Sequence, residues 1–473
     1  MSARFVQQLP HRRERVADWF ARPGAVTRLT PGAAPLTPRA TTADLAAGET
    51  VFAMPAGLSW RARHDPAAFL PGRRFADEVV NAPWRALTGW RHVHELADSR
   101  GPEGAGTVVV DRIRARVPAA ALRGLFAFRH ATLAGDLAAA DRLAGVLGIG
   151  AGAGREPGER LPRLRIAVTG ASGTVGTALV ALLGTAGHEV IRLVRGAAAG
   201  PGERRWDPEA PAADLLEGVD ALVHLAGAPI AGRFTDAHLA AVRDSRVGPT
   251  RRLAEAVAAA GTPVAVSASA VGYYGADRGG EILDEDAAPG PRAEALAGIV
   301  ADWEAAWAPA RAAGARVAVL RTGLVLAGGG GLLPPLAGLT RICLGGRLGS
   351  GRQWFPWIAL DDLVDLYHRA VLDPALAGPI NAVAPGGVDN AAFTRALAGV
   401  LRRPVGPPVP AAGPALLLGR RGAAELALAD QPAAPARLLS LGHVFRHPVL
   451  AGALRHELLR PAPDGTRIPR PEG

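Results

Sequence analysis

The chain has no lysine: all 53 of its basic residues are arginines. Against 43 acidic residues they leave a formal charge of +10, which ordinarily raises nucleic acid or an anionic membrane surface as a partner. Here the arginines are scattered among acids, form no run longer than a pair, and accompany heavy use of alanine, glycine and proline. That pattern fits a coding bias better than a basic binding surface, and no nucleic-acid partner is expected. Cysteine is nearly absent as well. With Cys343 alone, neither an intramolecular disulfide nor a cysteine-based metal site can form, and a reducing compartment fits. Long apolar runs are missing too. Residues 1–16 hold arginines and a proline where a secretion signal needs an apolar stretch, and nowhere do about twenty apolar residues follow one another. The expectation is a cytoplasmic protein without a membrane span.

What the chain has in plenty is apolar residues, 49% of a length of 473, more than one core normally serves. Two or three domains are expected. Within residues 1–147 the segments 73–80 and 107–117 alternate as half-buried antiparallel strands do, and 120–147 carries a helical period. This predicts an α+β unit in which a curved sheet grips a helix. Residues 148–162, GIGAGAGREPGERLP, read as a linker. From 163 to 378, strands at 221–227, 263–271 and 316–326 alternate with helices at 237–260 and 293–313. Nearly continuous apolar strands in such alternation predict an α/β domain with a doubly wound parallel sheet. Residues 379–456 read as a small C-terminal lobe and 457–473 as a flexible tail.

The segment Thr169-Gly170-Ala171-Ser172-Gly173-Thr174-Val175-Gly176 follows a strand and opens a helix, the context that gives a glycine pattern its meaning. Gly170 suits a tight turn, Gly173 a close approach of backbone to a pyrophosphate, and Gly176 close packing of helix on strand. The phosphates would meet the free N–H groups and positive end of that helix. The next strand ends at Val194-Arg195, where NAD-preferring sites usually place an acid. Arginine there can pair with a 2′-phosphate, which favours NADP(H) over NAD(H).

At these residues the sequence resembles the extended short-chain dehydrogenases/reductases, the NAD(P)-dependent epimerase/dehydratase superfamily. More narrowly, it is similar to epimerase-family oxidoreductases with a C-terminal domain of unknown function. The likeness runs through TGASGTVG, WDP (206–208), HLAGAPIAGR (224–233), DSRV (244–247), SASAVGYYG (267–275), DWEAA (302–306), RTGLVL (321–326), GRQWFPWIALDDL (351–363), NAVAP (381–385) and GHVFRHPVLAGALR (442–455). It implies a Rossmann fold with cofactor contacts at Gly170, Gly173, Thr174, Val175, Gly176, Val194 and Arg195. It further implies contacts at Leu225, Ala226 and Gly227 after the fourth strand, at Arg246, and at Val325. Segments 14–31, 73–96 and 126–139 resemble the START/polyketide-cyclase-like (SRPBCC) helix-grip proteins, which implies a hydrophobic ligand or a partner for the N-terminal domain.

Standard members of the superfamily use Ser/Thr with a Tyr-x-x-x-Lys pair, in which lysine lowers the pKa of the tyrosine. Counting back from Glu304 places that pair on Leu296 and Val300, so the ordinary mechanism cannot operate. Ser267, Ser269, Tyr273, Tyr274, Arg321, Asp361 and Asp362 remain near the expected centre. Ser269, Tyr273 and Tyr274 are the catalytic candidates, and the two aspartates read as the start of a helix. Trp354 and Trp357 line a substrate pocket or pack at a domain junction. His92 and His94 share one face of a strand without a third ligand of matching spacing, so no metal is expected. The functional expectation is an NADP(H)-dependent oxidoreductase or epimerase-like protein acting on a small molecule. The alternative is a non-catalytic NADP(H)-binding sensor that responds to an apolar ligand or protein partner.

Overall fold

A computed structural model describes residues 2–101, 104–150, 156–198, 200 and 202–461. Contacts divide the chain into two compact units. The first holds the chain up to Pro162, Ala181–Gly187 and the segment from Arg455; the second holds Arg163–Val180 and His188–Leu454.

The first unit is built on a seven-stranded antiparallel sheet. Its strands are β1 (Ser2–Leu9), β2 (Thr37–Ala40), β3 (Glu49–Ala53), β4 (Ser59–His64), β5 (Arg74–Val79), β6 (Arg91–Gly101) and β7 (Gly104–Arg114), in the order β1-β7-β6-β5-β4-β3-β2. Alternation along β1 turns Phe5 and Leu9 inward and leaves their neighbours outside, as a sheet with one covered face requires. The cover is the helix Ala119–Val146. Pro118 precedes it in a non-helical conformation, and Gly148, at φ +67°, follows its end. Leu133 and Leu137 of this helix pack with Leu9, Val16, Trp19, Phe75, Leu96 and Val109, while Phe126 stacks on Phe5 at 4.2 Å.

One ion pair lies inside this packing. Arg28 Nη2 donates to Asp136 Oδ1 at 2.6 Å and Nε to Oδ2 at 3.0 Å, with both side chains less than 5% exposed. The bidentate geometry offsets the desolvation of two charges, and neither charge tolerates loss of the other.

The residues between the sheet unit and the next strand are less free than their composition implies. Positions 151–155 of the expected linker lie outside the described residues. Glu156, however, accepts from Arg12 N at 2.6 Å and bonds His11 Nδ1 at 2.9 Å and Arg15 Nη1, and Pro157–Arg160 form a short 3-10 turn. Gly158 N donates to Asp141 Oδ1 at 2.8 Å. The charged end of the segment is therefore tied down by ion pairs that its glycine content conceals.

The second unit carries a seven-stranded parallel sheet: β8 (Arg165–Thr169), β9 (Glu189–Val194), β10 (Glu203–Arg205), β11 (Ala221–His224), β12 (Val264–Ala270) and β13 (Arg316–Thr322), closed by a strand described below. Two short ribbons flank it, formed by β14 (Leu324–Leu326) with β16 (Trp357–Ala359) and by β15 (Trp354–Phe355) with β18 (Val388–Asp389). The closing strand is β17 (Gly378–Ala382), giving the order β10-β9-β8-β11-β12-β13-β17 with every neighbouring pair parallel. Ile166, Ala167 and Val168 on β8 and Leu222 and Val223 on β11 are fully buried, as strands covered on both faces must be. The chain runs outward from β8 to β10 and then returns to lay β11 on the other side of β8. That reversal opens a crevice at the carboxyl ends of β8 and β11.

Several elements differ from the sequence reading in bounds. The helix expected over 237–260 is two, Asp236–Asp244 and Val247–Ala260, with Arg246 between them. The strand expected over 316–326 is broken at Gly323, where a Cβ would lie 2.8 Å from Pro356 O. The sheet's last strand starts at Gly378, so residues 379–382, read as part of the terminal lobe, complete the parallel sheet. Of the expected tail, 462–473 lie outside the described residues, and Leu450–Glu457 is helical. No helix among the described residues is long and apolar enough to cross a membrane.

Replacing Asp136 by leucine strands a buried guanidinium and should lower unfolding free energy by about 3–5 kcal/mol. The double variant Arg28→Met/Asp136→Leu should recover most of it. Urea denaturation of the four proteins of the cycle measures both, and a double variant as unstable as the single one refutes the pairing argument.

Candidate functional site

Thr169, the last residue of β8, is fully buried and joins the two strand ends. Its Oγ1 accepts from Leu225 N at 3.1 Å and Ala226 N at 3.3 Å, and lies 2.7 Å from His224 Nδ1. With both acceptor positions taken, the hydroxyl proton points to Nδ1. The imidazole must then carry its proton on Nε2, which donates to Thr250 Oγ1 at 3.1 Å. Burial first, and then the charge of Arg246, push His224 down to about 3. It is a neutral relay between two threonines.

Each glycine of the loop has its own reason. At Gly170, φ is +66° and a Cβ would lie 2.8 Å from Leu225 C. At Gly176 it would lie 2.1 Å from Gly170 O, so the helix Thr174–Ala186 starts directly against the turn. Gly173 is different: its missing Cβ would meet only Gly170 O, at 3.4 Å, and its N–H closes the turn on Gly170 O at 3.0 Å. The loop is therefore compressed at its ends and open in its middle. Thr174 abuts Gly330, whose Cβ would fall 2.3 Å from Thr174 Oγ1. The loop following Val325 on β14 thus flanks the start of the helix, with half-buried Val175 one residue further on.

On the far side of the crevice the guanidinium of Arg246 lies over Gly227, where a Cβ would meet Cζ at 2.8 Å. Arg246 is 7% exposed. Its Nη1 donates to Val242 O at 3.1 Å and Ser245 Oγ at 3.3 Å, and Cζ sits 5.0 Å from the Trp303 ring. Nε has no hydrogen-bond partner, and no carboxylate pairs with this cation among the described residues. Burial alone lowers its pKa to about 10. Arg195, just beyond half-buried Val194, is exposed and makes no hydrogen bond or ion pair among the described residues. Leu225 and Ala226 are half-buried, with their N–H groups already given to Thr169.

A second polar cluster lies behind β12 and β13. Arg321 holds Glu304 bidentately, Nε to Oε1 and Nη2 to Oε2, both at 3.0 Å. Ser269 donates to the same Glu304 Oε1 at 2.5 Å. Tyr274 is fully buried. Its hydroxyl lies 2.8 Å from Asp284 O and 2.7 Å from Asn381 Oδ1, and accepts from Arg321 Nη1 at 3.1 Å. Burial, outweighing the pull of Arg321, pushes its pKa up to about 12. These contacts commit the hydroxyl proton of Ser269 to Glu304 and surround the Tyr274 hydroxyl with three partners.

Tyr273, its neighbour, is half-buried with Arg321 Cζ 3.5 Å above its ring, and its hydroxyl has no partner among the described residues. Ser267 is buried and turned onto Ala268 O at 3.0 Å. Leu296 and Val300 occupy the helix Ala295–Ala305 and are 5% and 2% exposed. Both lie against Gly272, within 3.6 and 4.0 Å of where its Cβ would be.

The remaining candidates lie elsewhere in the fold. Asp361 and Asp362 do sit in the first turn of the helix Leu360–Leu372, but Asp362 does not bond that helix's own N–H groups. It accepts instead from Arg446 N and from His447 N at 3.0 Å, and burial, then Asp365, push it up to about 7. Trp357 is fully buried with Nε1 on Gly386 O at 2.9 Å, and half-buried Trp354 packs on Gly387. His92 and His94 are each 4% exposed, and Asp77, Asp111 and His130 converge on them from β5, β7 and the long helix. Strand pairing supplies the neighbours that linear spacing did not show.

A glycine turn opening onto a helix at the switch point of a 3-2-1-4-5-6-7 parallel sheet is a Rossmann-type fold of the short-chain dehydrogenase class. The sequence matches the NAD dependent epimerase/dehydratase family over residues 166–382 and the domain of unknown function DUF1731 over 409–457. The chain belongs to the NAD dependent epimerase/dehydratase family. It is 41% identical over 299 residues to the epimerase family protein Mb2239 of Mycobacterium bovis, which spans 63% of this chain and 98% of that protein. With human SDR39U1 identity is 37% over 299 residues, 62% of this chain and 99% of that one. Two of the similar solved structures are informative. The nucleoside-diphosphate sugar epimerase from Corynebacterium glutamicum has TM-score 0.83 and 46% identity, over 96% of this chain and 90% of that chain. Human SDR39U1 with NADPH has TM-score 0.56 and 33% identity, over 62% of this chain and 99% of that chain.

The neutral His224 sets a pH dependence. Its folded pKa lies below the unfolded value of 6.5, so the unfolded chain binds the extra proton and stability falls as pH drops below 6.5. At pH 5 this amounts to about 2 kcal/mol relative to pH 7. Denaturant titrations at both pH values should show wild type losing about 2 kcal/mol more than His224→Asn. Equal losses would contradict a neutral, buried imidazole.

Proposed function

We propose that this chain binds NADP(H) in the crevice between β8 and β11 and uses it to reduce a carbonyl on a small molecule. The observation that carries the reading is Arg246: a buried guanidinium without a carboxylate, with an orphaned Nε, lying on the Gly227 edge of the crevice. A buried cation is costly unless something negative completes it. A dinucleotide phosphate does so, and the open middle of the loop at Gly173 together with the N-terminus of Thr174–Ala186 provides the matching cradle. Thr174, Val175 and Gly176 would border the phosphates, and Leu225, Ala226 and Val325 the remainder of the cofactor. Arg195, exposed and uncommitted where an acid would exclude a 2′-phosphate, supports NADP(H) over NAD(H). So does the NADPH in the solved structure of human SDR39U1.

Bound NADPH supplies a hydride. The chain must supply a proton to the carbonyl oxygen, and Tyr273 is the candidate because its hydroxyl, unlike those of Tyr274 and Ser269, is not consumed by the fold. Without a lysine, tyrosine is a better donor than base at neutral pH. Reduction is therefore favoured over the oxidation that would begin an epimerisation, although the Corynebacterium relative is named a sugar epimerase.

Calorimetry should find NADPH binding more tightly than NADH, with Arg195→Asp removing the difference and Arg246→Met weakening NADPH about ten- to a hundredfold, as loss of a charge-assisted hydrogen bond implies. Equal wild-type affinities would defeat the specificity argument, and an unaffected Arg246→Met the cradle.

In single-turnover assays across a carbonyl panel, Tyr273→Phe should retain NADPH binding and lose most turnover, while Tyr274→Phe should mainly lose stability. Full turnover by Tyr273→Phe would remove it as the acid.

A further inference from the structure

We propose that the antiparallel unit holds a divalent transition-metal ion of the zinc type on Asp77, His92 and His94, with Asp111 orienting the imidazoles. The register creates the group. Asp77 of β5 lies directly opposite His92 of β6, and His94 lies opposite Asp111 of β7, so four side chains from three strands emerge on one face. One ligand atom each of Asp77, His92 and His94 falls within 4.8 Å of the others. Two imidazoles and a carboxylate form a donor set that suits zinc and its neighbours and leaves coordination positions for water or a substrate.

The surroundings distinguish this group from an ordinary ion-paired cluster. His92 Nε2 bonds Asp111 Oδ1 at 2.8 Å, while its Nδ1 faces Asp77 Oδ2 at 3.7 Å. This is the arrangement of a ligating histidine, in which one nitrogen is held by a carboxylate and the other is free to accept a metal. Asp111 also receives His130 Nε2 on Oδ2 at 3.2 Å. His94 Nδ1 stands 2.8 Å from the same Asp111 Oδ1 on a side chain that is 96% buried, so one carboxylate oxygen meets both rings.

The Asp77 carboxylate makes no hydrogen bond among the described residues, and its side chain is 18% exposed, which leaves a path to solvent. The walls are aromatic: Phe75 stacks on His94 at 4.1 Å and Phe126 stands edge-on to His92 at 5.4 Å. They hold the rings in place. Two carboxylates, Asp77 and Asp111, outnumber the half-buried guanidinium of Arg129 whose charge they both support. By contrast, the other group of this kind in the unit, His11, Asp141 and Glu156, is already filled by Arg15.

The test uses the full chain, stripped with chelator and titrated with Co²⁺ and Zn²⁺. One Co²⁺ should bind per chain, with visible d–d absorption of a nitrogen/oxygen site, and Zn²⁺ should displace it. Asp77→Asn, which is near-isosteric and sits at the solvent edge, should abolish the band with near-ultraviolet circular dichroism unchanged. Asp111→Asn should weaken binding about ten- to a hundredfold, as loss of an orienting carboxylate does. His92→Ala should abolish the band, and if that variant does not fold, Asp77→Asn decides. Absence of stoichiometric binding in wild type, or binding by Asp77→Asn equal to wild type, overturns the assignment.

Discussion

The hydroxyl of Thr169 is the constraint on which the crevice depends. One oxygen accepts two consecutive backbone N–H groups from the neighbouring strand's end and gives its proton to a buried imidazole. It thereby fixes how far β8 and β11 can separate. A crevice whose two lips are joined by a fully buried hydrogen-bonded chain keeps its width, and that width determines what Gly170 must be. With Leu225 C 2.8 Å from the position of a Cβ, no larger residue fits. Compression at Gly170 and Gly176 in turn leaves the middle of the loop as the part of its backbone with space around it. The anion-binding geometry follows from packing rather than from any charged side chain in the loop.

Those glycines were legible in the sequence because each stands for a backbone requirement. The parallel sheet was legible because doubly covered strands read as apolar runs. Arg246 was reachable only through the family resemblance. In a chain whose 53 basic residues are all arginine, nothing local marks the one whose guanidinium is buried without an acid. The bounds at 246, 323 and 378 were not legible for a related reason, since each is set by a tertiary contact. The two tyrosines show the limit most clearly. Adjacent and chemically identical, they are separated by the 3-10 turn Val271–Tyr274, which sends Tyr274 into a network with Asn381 and Arg321 and leaves Tyr273 half-buried beneath the same arginine. The neighbours of His92 and His94 were not legible either: they lie on other strands and on a helix, and sequence spacing carries no information about strand register.

The absent lysine is a property of the core and not of a surface. Leu296 and Val300 pack on Gly272, the turn that leads to the tyrosines, and the helix carrying them also carries Glu304, clamped by Arg321. Putting a phenol and an ammonium back at 296 and 300 would bury two polar groups against apolar neighbours. That change carries a desolvation penalty. The chain has thus settled on an apolar solution at these two positions, and the acid proposed above, Tyr273, lies in the turn Val271–Tyr274 outside that helix.

Histidine serves opposite ends in the two units, and the difference follows from what surrounds each ring. His224 has hydroxyls on both nitrogens and a cation nearby, so it remains neutral and transmits orientation between Thr169 and Thr250. Around Asp111, burial favours the neutral acid, yet three imidazoles hold the carboxyl well below its usual range. A carboxylate kept ionised in an aromatic interior fixes the orientation of the rings that donate to it and leaves their second nitrogens as acceptors. Between the apolar clusters on the covered face of the sheet, this ionised group is an oriented polar centre.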